Sequence, residues 1–388
     1  MSYTLEIALV LAVVAAASAL PGAFLVLRRV ALVSDAIGHV LLFGVVVTYF
    51  AVRDVESPWL LAGAAAAGVL TVALVELLGK TRLVKEDAAI GLVFPALFAG
   101  GVVLASLYLR NTHLDVDAVL LGQPELATEA RWHVGGVGVR PVWVMAGVLA
   151  VNLVLLAAFY KELKLTTFDP GLAAALGFRP GLMHYGLMTA VSVTAVAAFD
   201  AVGPVLVVGF FVVPAAAAFL LTDRLAVMLG LAAVIGVAGA FAGTFAAVRL
   251  DANIAGTVAA ALGLLFALAL VFAPGRGLVA QAVRRWRQKR DFHETMLAVH
   301  LYQHEGTEAE ADEAGCRTIH RHLGWTEGRT AAVVGRAGRH GLIRHERDTI
   351  KLTHAGRDRA RSVLGSSVDS AATPPSPPVS FPSPPRPA

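Results

Sequence analysis

Apolar runs long enough to cross a bilayer recur through the first 273 residues, and no other feature narrows the choice of folds as much. A helix needs about 20 apolar residues to span the hydrocarbon core. Residues 5–27, 31–51, 58–79, 88–109, 142–160, 184–201, 203–221, 226–248 and 254–273 approach or exceed that length. Backbone polar groups cannot stay unpaired in lipid, so such runs must be helical. Only 15% of residues are charged and mean hydropathy is +0.69, whereas soluble domains carry roughly 25% charged residues. A wholly soluble globule is excluded. The charges also divide unevenly: residues 1–275 hold 14 Lys/Arg against 16 Asp/Glu, and residues 276–388 hold 18 against 12. The expectation is an all-α polytopic membrane domain over 1–278, a basic juxtamembrane linker over 279–289 and a small soluble domain over 290–364. Residues 365–388 are read as a disordered tail, because eight of residues 374–388 are proline and no core can form there.

The span count is eight or nine. Gly203-Pro204 interrupts 184–221, which reads either as two short spans or as one span plus a re-entrant piece. Ala17-Ser18-Ala19 resembles a signal-peptidase site, but no Lys or Arg precedes the first run, so it is read as a retained helix. With nine spans and a cytoplasmic C-terminus, the inner loops hold nine Lys/Arg (Arg28 and Arg29 among them) and the outer segments five. That bias places the chain in the cytoplasmic membrane with its tail inside. The single Cys316 allows neither an intramolecular disulfide nor a cysteine zinc cluster.

Titratable residues inside a span are costly and point to function. Asp35 and His39 lie four residues apart in RRVALVSDAIGHVLLFG, so a helix puts both on one face. A carboxylate and an imidazole at that spacing can share a cation of intermediate hardness such as Mn²⁺, Zn²⁺ or Fe²⁺. Alternatively, Asp35 pairs with Arg28 or Arg29 and His39 bonds a neighbouring helix. Asp200, beside the Gly-Pro break, either lines the path or sits at the outer interface. Glu125, Glu129 and His133, with His113, Asp115 and Asp117 before them, attract cations or form a solvated acidic face.

Leu78-Gly79-Lys80-Thr81 ends like a phosphate loop, but Leu74 stands where its first glycine is required. No nucleotide-hydrolysing or other enzymatic site is legible, so any ATP must be hydrolysed by a partner chain. The inner loop KELKLTTFDPGLAAALGFRPG contains a short helix: Asp169 caps it, Pro170 opens it and Gly177 ends it, with Ala174 and Leu176 between. Such a helix suits docking of a motor subunit. In the tail, helices are expected at 291–304, 313–323 and 326–340, followed by a strand pair around Gly341-Leu342-Ile343 and Ile350–Thr353.

Four segments carry a family resemblance: RRVALVSDAIGH, KELKLTTFDPGLAAALGF, AVGPVLVVGFFVVPAAAAFLLTDR and LDANIAGTVAAALGLLFALALVFAPGRGLV. They resemble the permeases of metal-type ABC importers, which take up manganese, zinc or iron(II). The resemblance implies a separate ABC ATPase, an extracytoplasmic metal-binding protein, and a second permease copy or paralogue. It implies that Asp35 and His39 lie on the metal path, with the metal as cargo and no permanently bound cofactor. Gly38 and Phe43 depart from the family's usual Ser and Pro. Residues 290–362, closing in Leu352-Thr353-x-x-Gly356, resemble the winged helix-turn-helix domain of diphtheria-toxin-repressor-like metal regulators. That second resemblance implies DNA as a partner; by its own chemistry the third helix offers Arg329, Arg336 and Arg339 to phosphates or base edges, the alternative being a cytoplasmic regulatory or docking module. The competing readings are a membrane-tethered metal-responsive DNA-binding regulator, and a siderophore or cobalamin importer, which should not need an Asp-x-x-x-His pair.

Overall fold

The computed structural model of the chain describes residues 3–54, 57, 59–81, 83–108, 139–316, 318–346 and 348–371. It divides into two compact units, Met1–Ala280 and Gln281–Ala388. Among the described residues of the first unit, nine helices are long and apolar enough to cross a membrane. They are α1 (Tyr3–Leu27), α2 (Leu32–Val52), α3 (Trp59–Lys80), α4 (Glu86–Tyr108), α5 (Arg140–Ala158), α8 (Pro180–Val202), α9 (Pro204–Leu221), α10 (Leu225–Leu250) and α11 (Ile254–Phe272). Two short helices, α6 (Tyr160–Phe168) and α7 (Pro170–Ala175), join α5 to α8. Gly203 separates α8 from α9, so residues 184–221 form two spans.

α1 is the most enclosed of the nine, packing against α10, α9, α5 and α8. Its first run is therefore central to the bundle. Lipid tails are as apolar as leucine, so helices associate in membranes by close packing and interhelical hydrogen bonds rather than by hydrophobic burial. Both devices are present. Any Cβ on Gly22 would meet the Phe211 carbonyl at 2.1 Å, so only glycine lets α1 and α9 approach this closely. The buried Asn152 of α5 donates to the Ala17 carbonyl at 3.1 Å and to Thr194 Oγ1 at 2.9 Å, linking three helices. The outward positions, such as Val154 and Leu264, are apolar and exposed, as a lipid-facing surface requires.

The second unit is built from all but the first three residues of the long helix α12 (Leu278–His304), two single-turn helices α13 (Glu310–Glu313) and α14 (Ile319–His322), α15 (Glu327–Arg339), strands β1 (Ile343–Glu346) and β2 (Thr349–Leu352), and α16 (His354–Ala371). The strands form an antiparallel hairpin with Ile343 opposite Leu352 and Glu346 opposite Thr349. Leu297, Leu301, Ile319, Trp325, Val333, Ile350 and Leu352 make its core. The Leu352-Thr353-x-x-Gly356 run has a physical basis here. Thr353 donates to the Gly341 carbonyl and accepts from the Gly356 amide, and a Cβ on Gly356 would lie 2.1 Å from the Leu342 carbonyl.

Three expectations for the tail need correction. Residues 279–289 belong to α12 rather than forming a separate linker, because the basic segment carries helix formers with no proline or glycine to stop it. Residues 313–323 break into α13 and α14, since Gly315 pairs with Thr349 at the hairpin edge and draws the chain out of helix. Helix also persists to Ala371, seven residues into the stretch read as disordered. The proline run 374–388 lies outside the described residues.

Candidate functional site

On α2, Asp35 Oδ1 and His39 Nε2 stand 3.5 Å apart, one helical turn between them. The opposite face, including Ser34, Ile37 and Leu41, is buried in the bundle. The pair itself is half open, with side chains 47% and 37% exposed. α4 supplies the walls: the His39 ring stacks on Phe94 at 5.7 Å and meets the edge of Phe98 at 5.8 Å. Two aromatic rings thus fix the imidazole plane while its Nε2 faces the carboxylate. Arg28 is not the partner of Asp35. It donates instead to Thr167 Oγ1 at 3.1 Å and Thr166 Oγ1 at 3.2 Å, and contacts His184 Nδ1 at 3.4 Å.

Among the described residues, no third His, Cys, Asp or Glu completes a ligand group with this pair. One carboxylate oxygen and one imidazole nitrogen fall short of the four to six donors that first-row divalent ions take. The remaining donors must come from beyond the described residues of this chain or from solvent. Asp200 falls in the last turn of α8, and its side chain lies outside the described residues. Glu125, Glu129, His133, His113, Asp115 and Asp117 also lie outside them.

Sequence reasoning passed over a second polar cluster. Glu76 of α3 accepts from the Tyr185 hydroxyl and pairs with Lys80 at 3.2 Å. With His184, Val30, Val33 and Met188 it borders a cavity of about 330 Å³ that begins two residues from Asp35. The signal was available: Glu76 is a titratable residue inside a span, the criterion that singles out Asp35.

Between α5 and α8 the capping chemistry takes the expected form. Asp169 Oδ1 accepts from the Leu172 amide at 2.9 Å, Pro170 occupies the first turn, and Gly177 adopts φ +87° just past the end. The helix runs Pro170–Ala175, with Leu176 as its C-cap. Ala173 is buried, whereas Ala174 and Gly177 are exposed and Leu172, Leu176 and Phe178 are 48%, 61% and 39% exposed. The short helix and the turn that follows it thus expose two leucines and a phenylalanine.

In the second unit, Arg329 and Arg339 are exposed on α15. Arg336 is not available in the same way. Its Nε donates at 3.0 Å to Glu294, which is only 2% exposed and also holds His340 Nδ1 at 2.8 Å. Removing one partner of a buried ion pair costs about 3–5 kcal/mol when it leaves the other charge unpaired. Because His340 still faces Glu294, Arg336→Ala is expected to destabilise the second unit by less than that amount, seen as faster proteolysis of the tail in the purified chain.

Nine apolar helices among the described residues, a carboxylate–imidazole pair inside one of them and a short capped helix between two others fit a polytopic membrane transport subunit. Comparison with known proteins makes the class particular. The chain belongs to the ABC 3 transport family, whose model matches residues 1–273. It is 45% identical to the zinc transport system membrane protein TroD of Treponema pallidum (strain Nichols), over 94% of this chain and all of that protein. That match runs over 372 residues and so extends into the second unit. The manganese transport system membrane protein MntD of Bacillus subtilis (strain 168) is 43% identical, over 70% of this chain and 92% of its own. Among solved structures, PsaBC from Streptococcus pneumoniae, in complex with Fab, superposes with a TM-score of 0.60 at 26% identity. It covers 71% of this chain and 94% of its own.

Proposed function

We propose that this chain is the permease subunit of an ABC transporter that imports a divalent transition metal (manganese, zinc or iron) across the cytoplasmic membrane. The observation that carries the reading is the Asp35–His39 pair on a membrane helix, in a chain whose relatives are named zinc and manganese transport proteins. Cargo passes at that pair as substrate. The described residues contribute two donors at this position, and a second permease copy or paralogue adds further donors across the pathway. A separate ATPase docks on α7, and an extracytoplasmic metal-binding protein delivers the ion at the other side. The Lys/Arg bias of the short loops supports a cytoplasmic side for α7 and the second unit.

The second unit is read as a winged helix-turn-helix. Supporting this are the turn at Gly324 between α14 and α15, the β1–β2 hairpin after α15, and the closing α16. With Arg336 engaged by Glu294, Arg329 and Arg339 remain to face DNA phosphates, a weak and salt-dependent contact.

Uptake of radiolabelled Mn²⁺, Zn²⁺ and Fe²⁺ tests the function. Cells producing the chain with its ATPase and binding protein should accumulate one of the three, with the others competing in order of affinity. Accumulation equal to that of cells lacking the chain overturns the reading.

A further inference from the structure

The second unit gathers three imidazoles around one carboxylate, a grouping that neither transport nor DNA contact uses. His300 and His304 are one turn apart at the end of α12, so both project from one face. The ring centroids lie 4.9 Å apart. Glu313 closes the other side from α13: its Oε2 is 3.3 Å from His300 Nε2 and 3.0 Å from His322 Nδ1. His322, on α14, also stacks on His300 at 6.3 Å. One ligand atom from each of His300, His304 and Glu313 can be chosen so that all lie within 4.8 Å of one another.

We propose that this cluster is a divalent transition-metal site, with His300, His304 and Glu313 as ligands and His322 as the fourth donor. A tetrahedral ion with bonds of about 2.0–2.2 Å sets its donors about 3.4 Å apart. Two of the contacts to Glu313 are already near that spacing, and the ligand atoms of His300, His304 and Glu313 lie within 4.8 Å of one another, so small side-chain adjustments would close the site. Three neutral nitrogens and one carboxylate form a donor set of intermediate softness, which favours Zn²⁺ over Mn²⁺. The cluster is only partly buried, so an ion can enter from solvent. Asp312 beside His322, with Glu308 and Glu310 on the same connection, gives the entrance a negative field. A bound ion would tie α12, α13 and α14 together, adding to the backbone bonds that Ala314 and Cys316 make with the β1–β2 hairpin. The site stands on the second unit alone and does not depend on the transport assignment.

The test uses the full chain, purified in detergent, with Asp35→Ala and His39→Ala so that the pair on α2 contributes nothing. Zn²⁺ binding is measured by equilibrium dialysis with elemental analysis, and Co²⁺ is used as a spectroscopic probe. The parent should bind one Zn²⁺ per chain and show the intense ligand-field bands of tetrahedral Co²⁺. His304→Gln, and separately His300→Gln with Glu313→Gln, should weaken Zn²⁺ at least about tenfold, or about 1.4 kcal/mol, and abolish those bands. Resistance of the second unit to protease in the absence of metal shows whether each variant is folded, and His322→Gln serves as a further variant if one is not. A parent that binds no Zn²⁺, or folded variants that bind it as the parent does, would overturn the proposal.

Discussion

Asp35→Ala or His39→Ala should each reduce metal uptake by about 100-fold or more while the chain still inserts and assembles. The magnitude follows from what ligands do: even outer-shell partners of a metal are worth about 10–100-fold when removed, and these residues are proposed as direct donors. Normal assembly is expected because neither side chain is part of the buried face of α2. Asp35→Asn sharpens the test, since it keeps the shape and removes the charge. It should fail as completely as Asp35→Ala if the carboxylate meets the ion, and should transport normally if Asp35 serves only to fill space. Phe94→Ala frees the imidazole plane without deleting a donor, so it should weaken uptake by about tenfold, less than either ligand change. Uptake near the parent level in both alanine variants would remove the pair from the metal path.

Much of the membrane unit was legible in the sequence because lipid imposes one requirement at a time. A span must be apolar, about 20 residues long and internally hydrogen-bonded, and the nine long apolar helices among the described residues follow that rule to within a few residues. The Asp169–Gly177 segment was equally readable, since a capping carboxylate, a first-turn proline and a left-handed glycine act locally. What escaped depends on distant partners. Residues 313–323 look helical in isolation, yet Gly315 is claimed by Thr349, more than 30 residues away. Arg336 looks like a solvent-facing arginine on a recognition helix until Glu294, 42 residues earlier, is placed beside it. The grouping of His300, His304, Glu313 and His322 depends on the same kind of tertiary placement. Only the i, i+4 spacing of the first two is visible along the chain.

The other large effect should come from α7. Replacing Ala174 and Leu176 together with glutamate should bring uptake down to the level of cells lacking the ATPase, with the permease still in the membrane. The surface argument is direct. Leu172, Leu176 and Phe178 are exposed on a segment of only a few residues, and Ala174 lies open between them. Two carboxylates there would have to be desolvated against an apolar partner, and each unpaired charge opposes docking by several kcal/mol. The helix itself should survive, because its stability comes from the Asp169 cap, Pro170 and the turn at Gly177, none of which is touched. Asp169→Ala separates shape from surface. It removes one cap worth about 1 kcal/mol, so it should lower uptake only severalfold while leaving the apolar face chemically intact. Co-purification of the ATPase with the Ala174→Glu, Leu176→Glu chain distinguishes two routes to failure. Loss of the ATPase means that α7 holds the motor in place, whereas a retained ATPase hydrolysing ATP without uptake means that α7 transmits its stroke. Transport at the parent rate would place the docking surface elsewhere.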